Sequence, residues 1–250
     1  MISERLIAVG IGIGIGALIE LLVAIYIYKK DSEFRANQLM SSGYFFLSMA
    51  LFSYLFYVII GTNDYIVELL HRFSIAFGSF TAICLFAAVT FLRTGNEGLK
   101  DPVNVALMSA SFLFGLGALI LPGVEILEDP TPSVEQFIIW SEIYTIVGIF
   151  SVVIMGIGTS FKFYLLLKEI PSDHSSRKPL LLSSFAIGVF VLAYLGMVLP
   201  HTVYYLNSSA DLIPILSLII NISSVSVLVL SLIIGYSFVS GRTKSKEESG

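Results

Sequence analysis

Lys and Arg residues are spread unevenly around seven apolar stretches, and this distribution constrains the fold more than any other feature. The stretches lie near residues 7–28, 38–61, 69–92, 103–121, 137–161, 180–199 and 212–239. Twelve of the fourteen Lys and Arg residues cluster after the first, third, fifth and seventh stretches, and only Arg5 and Arg72 lie elsewhere. Because cytoplasmic loops collect Lys and Arg, the pattern predicts seven transmembrane helices with the N-terminus outside and the C-terminus in the cytoplasm.

The composition favours a membrane protein with a single domain. Apolar residues make up 56 % of the chain and charged residues 13 %, and the mean hydropathy is +0.90. Seven spans of about 20 residues each would use more than half of the 250 residues. We therefore expect an all-α fold in the cell membrane, with one seven-helix domain over residues 1–240 and a short disordered cytoplasmic tail over 241–250.

The fifth apolar stretch is longer than a bilayer requires. Ser133 and Gln136 fit a capping box, and apolar residues continue as far as Pro171. A helix over 134–168 would be about 50 Å long, whereas the hydrocarbon core is about 30 Å thick. Either the helix is tilted and Lys162 reaches towards the surface, or a cytoplasmic extension docks a partner.

Prolines are predicted at or near helix ends or in loops. Asp101 and Pro102 fit the start of the fourth helix, and Pro200 is expected at the end of the sixth. This placement argues against the interrupted helices found in many secondary transporters.

Glycines alternate with isoleucine from Gly10 to Gly16 in the first stretch. Alternation is typical of a strand, but an open strand cannot satisfy its backbone groups within lipid. We therefore predict a helix whose glycine face packs closely against a neighbour.

Two polar residues are predicted deep in the membrane, where such groups are costly and often functional. Glu20 could pair with a neighbouring helix, stay neutral, or line a path for a ligand or ion. Asn221 fits an interhelical hydrogen bond.

A second polar group is expected near the outer ends of three helices. Glu142 is predicted about two turns inside the fifth helix, with Arg72 as its natural ionic partner. Aromatic residues here could also form an interfacial belt. We predict a ligand site made by six residues: His71, Arg72, Trp140, Glu142, Tyr144 and His201.

Several classes of protein are disfavoured by the residues that are present. Retinal requires a Schiff-base lysine in the last helix, and residues 211–240 contain none. The three histidines lack the spacing of a metal site, Cys84 is a lone cysteine, and the bases are too scattered for nucleic acid. We expect no cofactor, no metal and no enzymatic activity.

In helix number, orientation and size, the chain resembles the seven-helix input regions of prokaryotic histidine kinases. That resemblance implies a sensory module that binds a small molecule or lipid in an outward-facing pocket and signals through its cytoplasmic loops to a separate protein. Membrane lipids are further expected partners.

Two alternatives stay open at this point. A weak internal repeat gives a three-plus-one-plus-three pattern that resembles SWEET-type transporters, in which parallel repeats occur. A structural subunit, with the glycine-faced first helix against another chain of a larger membrane complex, is the third possibility.

Overall fold

The structure, a computed structural model, describes most of the chain. The described residues are 4–60, 64–122, 124–128, 136–171, 174, 177–207, 212, 214–216, 218–220, 222–223, 225–226, 229–230 and 232–233. The predicted intramembrane Asn221, the capping residue Ser133 and the predicted tail over 241–250 lie outside these residues.

Six long helices and one short hairpin make up the elements with defined bounds. The helices are α1 (Glu4–Lys30), α2 (Arg35–Ile60), α3 (Asp64–Lys100), α4 (Pro102–Ile120), α5 (Glu142–Glu169) and α6 (Arg177–Leu206). Each contains a segment that is long and apolar enough to cross a membrane. The helical class and the membrane-spanning character predicted from the sequence are therefore confirmed. Every described residue from 214 to 233 is also helical, within the stretch predicted as the seventh helix.

The hairpin between α4 and α5 corrects the predicted start of the fifth helix. Strands β1 (Val124–Glu128) and β2 (Gln136–Trp140) pair antiparallel, with Val124 opposite Trp140. The helix predicted over 134–168 is thus wrong at its start, because α5 begins at Glu142 after the N-cap Ser141, whose hydroxyl accepts from the Tyr144 N–H. The run of β-branched and aromatic residues from 137 to 140 suits a strand as well as a helix.

Two other helices differ from their predicted lengths. α3 is the longest described helix at 37 residues, with a break at Gly95, whose φ of 65° suits glycine. α6 continues through Pro200 to Leu206, so the predicted end at Pro200 is wrong. The predicted start of α4 is confirmed, since the Asp101 carboxylate accepts from the backbone N–H groups of Val103 and Asn104.

The helices alternate in direction, which gives the bundle two ends. The hairpin end contains the start of α3 and of α5, the end of α4 and of α6, and the hairpin itself. The basic end contains the end of α1, α3 and α5 and the start of α6. The largest buried apolar cluster joins α3, α4, the hairpin, α5 and α6, and includes Phe86, Trp140, Tyr144 and Met155.

The α1–α2 seam combines the predicted glycine face with a row of polar contacts. Gly14 lies against Leu55, and a Cβ there would be 3.3 Å from the leucine side chain. The Ser48 hydroxyl donates to the Ala17 carbonyl and the Ser41 hydroxyl to the Ala24 carbonyl, each at 2.8 Å. Small residues and hydroxyls of this kind hold helices together in lipid, where the hydrophobic effect gives no help.

Glu20 lies on the same face of α1, between the two serine contacts. Its side chain is fully buried. The three possibilities for Glu20 stay predictions.

Gly156 permits close approach of α5 and α6. A Cβ at this position would overlap the Val191 side chain, so Gly156→Ala is expected to lower the free energy of unfolding by about 1–3 kcal/mol through overpacking. Gly12→Ala is the matched control, because nothing lies within 4 Å of its Cβ position. The midpoint of thermal unfolding of both variants is measured in mild detergent, with the reaction of the single thiol, Cys84, as the signal of unfolding. Equal midpoints for the two variants would contradict the prediction.

Candidate functional site at the hairpin end

Five side chains from four elements form a buried cluster at the hairpin end, which we call the hairpin-end cluster. It consists of His71 and Arg72 from α3, Trp140 from β2, Tyr144 from α5 and His201 from α6. Each is less than one-tenth exposed, and Trp140 and Tyr144 are fully buried. Five of the six residues predicted from the sequence to form a ligand site are therefore brought together.

A hydrogen bond between Trp140 and His71 lies at the centre of the cluster. The indole Nε1 donates to His71 Nε2 at 2.7 Å. An indole N–H can only donate, so His71 carries no proton on Nε2 in this arrangement. The His201 ring stacks on the indole at a centroid distance of 5.5 Å and meets the His71 ring edge-on at 5.8 Å. The three rings thereby join α3, β2 and α6.

Arg72 connects α3 to the C-terminal end of α4. Its Nη1 donates to the Leu121 carbonyl and lies 3.5 Å from the Ala118 carbonyl oxygen. Its Nε donates to Glu68 at 2.9 Å. A guanidinium at this place satisfies carbonyls that the end of a helix leaves without partners and interacts favourably with the negative end of the helix dipole.

Tyr144 completes the cluster from α5. Its hydroxyl donates to the Ala118 carbonyl at 3.1 Å, and the Arg72 guanidinium lies 5.4 Å from its ring centroid. Tyr144 also meets the Trp140 indole edge-on at 5.0 Å. Gly148, one turn further along, leaves room for the indole, since a Cβ there would be 2.6 Å from Trp140 Cζ3.

Glu142 is the predicted site residue that does not join the cluster. It is the first residue of α5 and is exposed, not two turns inside a helix. The predicted Arg72–Glu142 ion pair is wrong, because Arg72 pairs with Glu68 instead. The ion pair does not form because the hairpin replaces the first turns of the predicted fifth helix, which leaves Glu142 at the N-terminus of α5.

Several neighbours of the cluster were missed. Glu68 precedes Arg72 by one helical turn, a spacing at which side chains meet, so the pair was visible in the sequence. Thr145 and Thr202 face each other across α5 and α6 with their hydroxyl oxygens 2.5 Å apart. Tyr194 of α6 donates to the Gly148 carbonyl at 2.9 Å. The Thr145–Thr202 and Tyr194–Gly148 contacts depend on how α5 packs against α6 and have no local sequence signal.

The cluster offers polar recognition groups. In the residues that the structure describes, no three His, Cys, Asp or Glu side chains come together as metal ligands. Imidazole rings, a guanidinium and a tyrosine hydroxyl can bind a polar or anionic group, and the aromatic faces can pack against an apolar body.

Comparison with known proteins adds no family. No protein-family model matches the chain, and no curated protein matches it.

Proposed function

We propose that the chain is a receptor-like membrane module in which a small molecule or lipid acts at the hairpin-end cluster. In this proposal seven helices cross the cell membrane, the hairpin end faces outwards, and the basic end passes the signal through its loops to a separate protein. The lopsided Lys and Arg distribution supports the orientation. No reaction is part of the proposed activity.

The observation that carries the proposal is the burial of ionisable and hydrogen-bonding groups where four elements meet. Burying ionisable groups costs free energy, and buried ionisable groups with specific partners often mark functional positions. His71, Arg72 and His201 are all buried, and their contacts depend on the mutual positions of α3, α4, β2 and α6. A ligand that competed for any of these contacts would shift the elements relative to one another.

The hairpin and Pro200 support a route for the signal. Trp140, the last residue of β2, contacts both His71 and His201, so a displaced hairpin would pull on both helices. Pro200 directly precedes His201 and lacks the N–H that would bond to the Gly196 carbonyl. A proline inside a helix is a natural bending point, so the cluster sits next to a place where α6 can change direction.

Trp140 is the single tryptophan of the chain, so its fluorescence reports directly on the cluster. The purified protein in nanodiscs is titrated with a panel of small amphipathic molecules and lipids. We expect at least one compound to change the emission of Trp140 in a saturable way. His201→Phe keeps an aromatic ring against the indole but removes both ring nitrogens, so it should weaken that response.

Glu142→Gln is the matched control for this titration, because Glu142 is exposed and outside the cluster. It should respond as the natural protein does. A response that is equal in His201→Phe and in the natural protein, or that disappears in Glu142→Gln, would place the ligand elsewhere. Absence of any saturable response across the panel would count against a receptor role.

A transport role is the second candidate, and the fully buried Glu20 in the α1–α2 seam favours it. Transporters use intramembrane carboxyl groups as proton or cation relays. Uptake into vesicles that depends on Glu20 and persists in His201→Phe would favour transport over sensing.

A further inference from the structure

The hydrogen bond to Trp140 requires His71 to be neutral. The indole Nε1 donates to His71 Nε2 at 2.7 Å. That nitrogen can accept only while it carries no proton, so the ring holds its one proton on Nδ1. An imidazolium ring has an N–H on both nitrogens and accepts no hydrogen bond from an N–H. Uptake of one proton at Nε2 would therefore leave two N–H groups facing each other.

The surroundings of the two rings leave this change little room. His71 and Trp140 are both buried, so an indole N–H that loses its acceptor is left unsatisfied in the interior. On the α5 side the indole is tightly packed, because a Cβ on Gly148 would be 2.6 Å from Trp140 Cζ3. A second imidazole, His201, lies 5.8 Å from the His71 ring and stacks on the indole at 5.5 Å. Protonation of His71 is therefore expected to displace the indole.

The other ionisable groups around His71 ordinarily titrate further from neutral pH, apart from His201. The buried or half-buried ones on the described elements are Glu68 and Arg72 of α3, Tyr144 of α5, and His201 and Tyr204 of α6. Strand β1 carries Glu125 and Glu128, Glu142 of α5 is exposed, and α4 and β2 carry no ionisable residue. The ordinary pKa is about 6.5 for histidine, about 4 for glutamate, and about 10 or higher for tyrosine and arginine. A change of charge near neutral pH is therefore expected at the imidazoles.

We propose that the hairpin-end cluster is a proton-operated switch, in which His71 takes up a proton at Nε2 and releases the Trp140 indole. Trp140 is the last residue of β2, so its release loosens the hairpin from α3 and α6. The hydrogen bond is present at higher pH and is lost as the pH falls. The switch operates in the protein without a ligand, so it does not rest on the proposed receptor role.

The emission of Trp140, the single tryptophan, tests the proposal on the full chain in nanodiscs without any added compound. The pH is lowered from about 8 to about 4.5, across the ordinary pKa of histidine. We expect a reversible red shift, because the indole leaves a buried site. The ratio of the two states should change about tenfold per pH unit, as it does for the uptake of one proton. Far-UV circular dichroism, recorded in parallel, should show unchanged helix content.

His71→Gln removes the titrating group and keeps an acceptor, because the glutamine carbonyl can accept from the indole and takes up no proton in this range. The emission of this variant should stay constant. His174→Gln is the matched control, since it makes the same substitution at an exposed histidine between α5 and α6, at the basic end. It should titrate as the natural protein does. His201→Phe should also show the transition, because His71 and the indole remain.

The indole N–H resonance of the natural protein gives a second measurement should His71→Gln fail to fold. In isotope-labelled protein this single signal should move with the same pH midpoint as the emission, because the N–H leaves its nitrogen acceptor. Different midpoints, or an emission that does not depend on pH, would overturn the proposal. So would a transition that persists in His71→Gln, that disappears in His174→Gln or His201→Phe, or that coincides with loss of helix.

Discussion

Replacing Trp140 by alanine is expected to lower the free energy of unfolding by about 3–5 kcal/mol, the usual cost of emptying a buried tryptophan site. The indole is fully buried and touches His71, Tyr144 and His201. Its loss leaves a cavity where α3, the hairpin, α5 and α6 meet, and it removes the donor to His71 Nε2. The midpoint of unfolding is measured in mild detergent from the temperature at which the Cys84 thiol becomes reactive.

Two control variants separate the destabilisation caused by the cavity from that caused by the lost hydrogen bond and from that of removing any aromatic ring at this end. Trp140→Phe keeps most of the ring volume but removes the donor, so it should cost about 1–3 kcal/mol, the penalty for one buried group left without its partner. Tyr65→Ala removes an aromatic ring at the same end that is 73 % exposed, so it should change stability by less than about 0.5 kcal/mol. A Trp140→Ala midpoint equal to that of Tyr65→Ala would show that the cluster does not hold the hairpin end together.

The helices could be predicted from the sequence because lipid imposes a simple rule on a long apolar stretch. Within hydrocarbon every backbone group must be bonded internally, so such a stretch forms a helix even where glycine and isoleucine alternate. The stretches at 38–61 and 103–121 correspond closely to α2 and α4. Charge placement and the Asp101–Pro102 pair marked where helices begin and end.

The hairpin and the end of α6 could not be predicted by the same rule, since they lie where the lipid constraint weakens. Near the headgroups the backbone can bond to water, so residues 137–140 are free to follow their strand preference. Pro200 ends a helix by local rules, but packing of His201 against Trp140 keeps α6 helical beyond it. The hairpin thus follows a local preference, whereas α6 continues against one, next to a tertiary contact.

Five of the six residues predicted for the site come together, but Glu142 does not, and the predicted partner of Arg72 is wrong. Residue type and approximate depth were enough to group His71, Trp140 and His201. The partner of Arg72 was wrong because it depended on the start of α5, which the hairpin displaces. The predicted Arg72–Glu142 pair joins two helices, so it is lost when the start of α5 moves by two turns. The Glu68–Arg72 pair lies within α3, and its spacing of four residues brings the side chains together wherever the helix begins.

Replacing Arg72 by glutamine is expected to lower the free energy of unfolding by about 3 kcal/mol, because removing one member of a buried, hydrogen-bonded charge network leaves the others without compensation. The guanidinium is 9 % exposed and bonds to Glu68 and to the Leu121 carbonyl at the end of α4. Glutamine is too short to reach both. Arg72→Lys keeps the positive charge but loses the planar set of guanidinium donors. Its midpoint of unfolding should therefore lie between those of the natural protein and Arg72→Gln.

Arg93→Gln is the matched control for this loss. It also removes an arginine of α3 that is paired with a glutamate, but its partner Glu169 is 50 % exposed. Exposed pairs of this kind contribute at most about 1 kcal/mol, so in lipid-free detergent this variant should unfold close to the natural protein. The two variants share residue type, helix and substitution, and they differ in burial and in the contacts that Arg72 makes to the end of α4. Similar midpoints for Arg72→Gln and Arg93→Gln would mean that the Arg72 contacts to α4 add no stability, and the hairpin-end cluster would then be a set of neighbours without a connecting network.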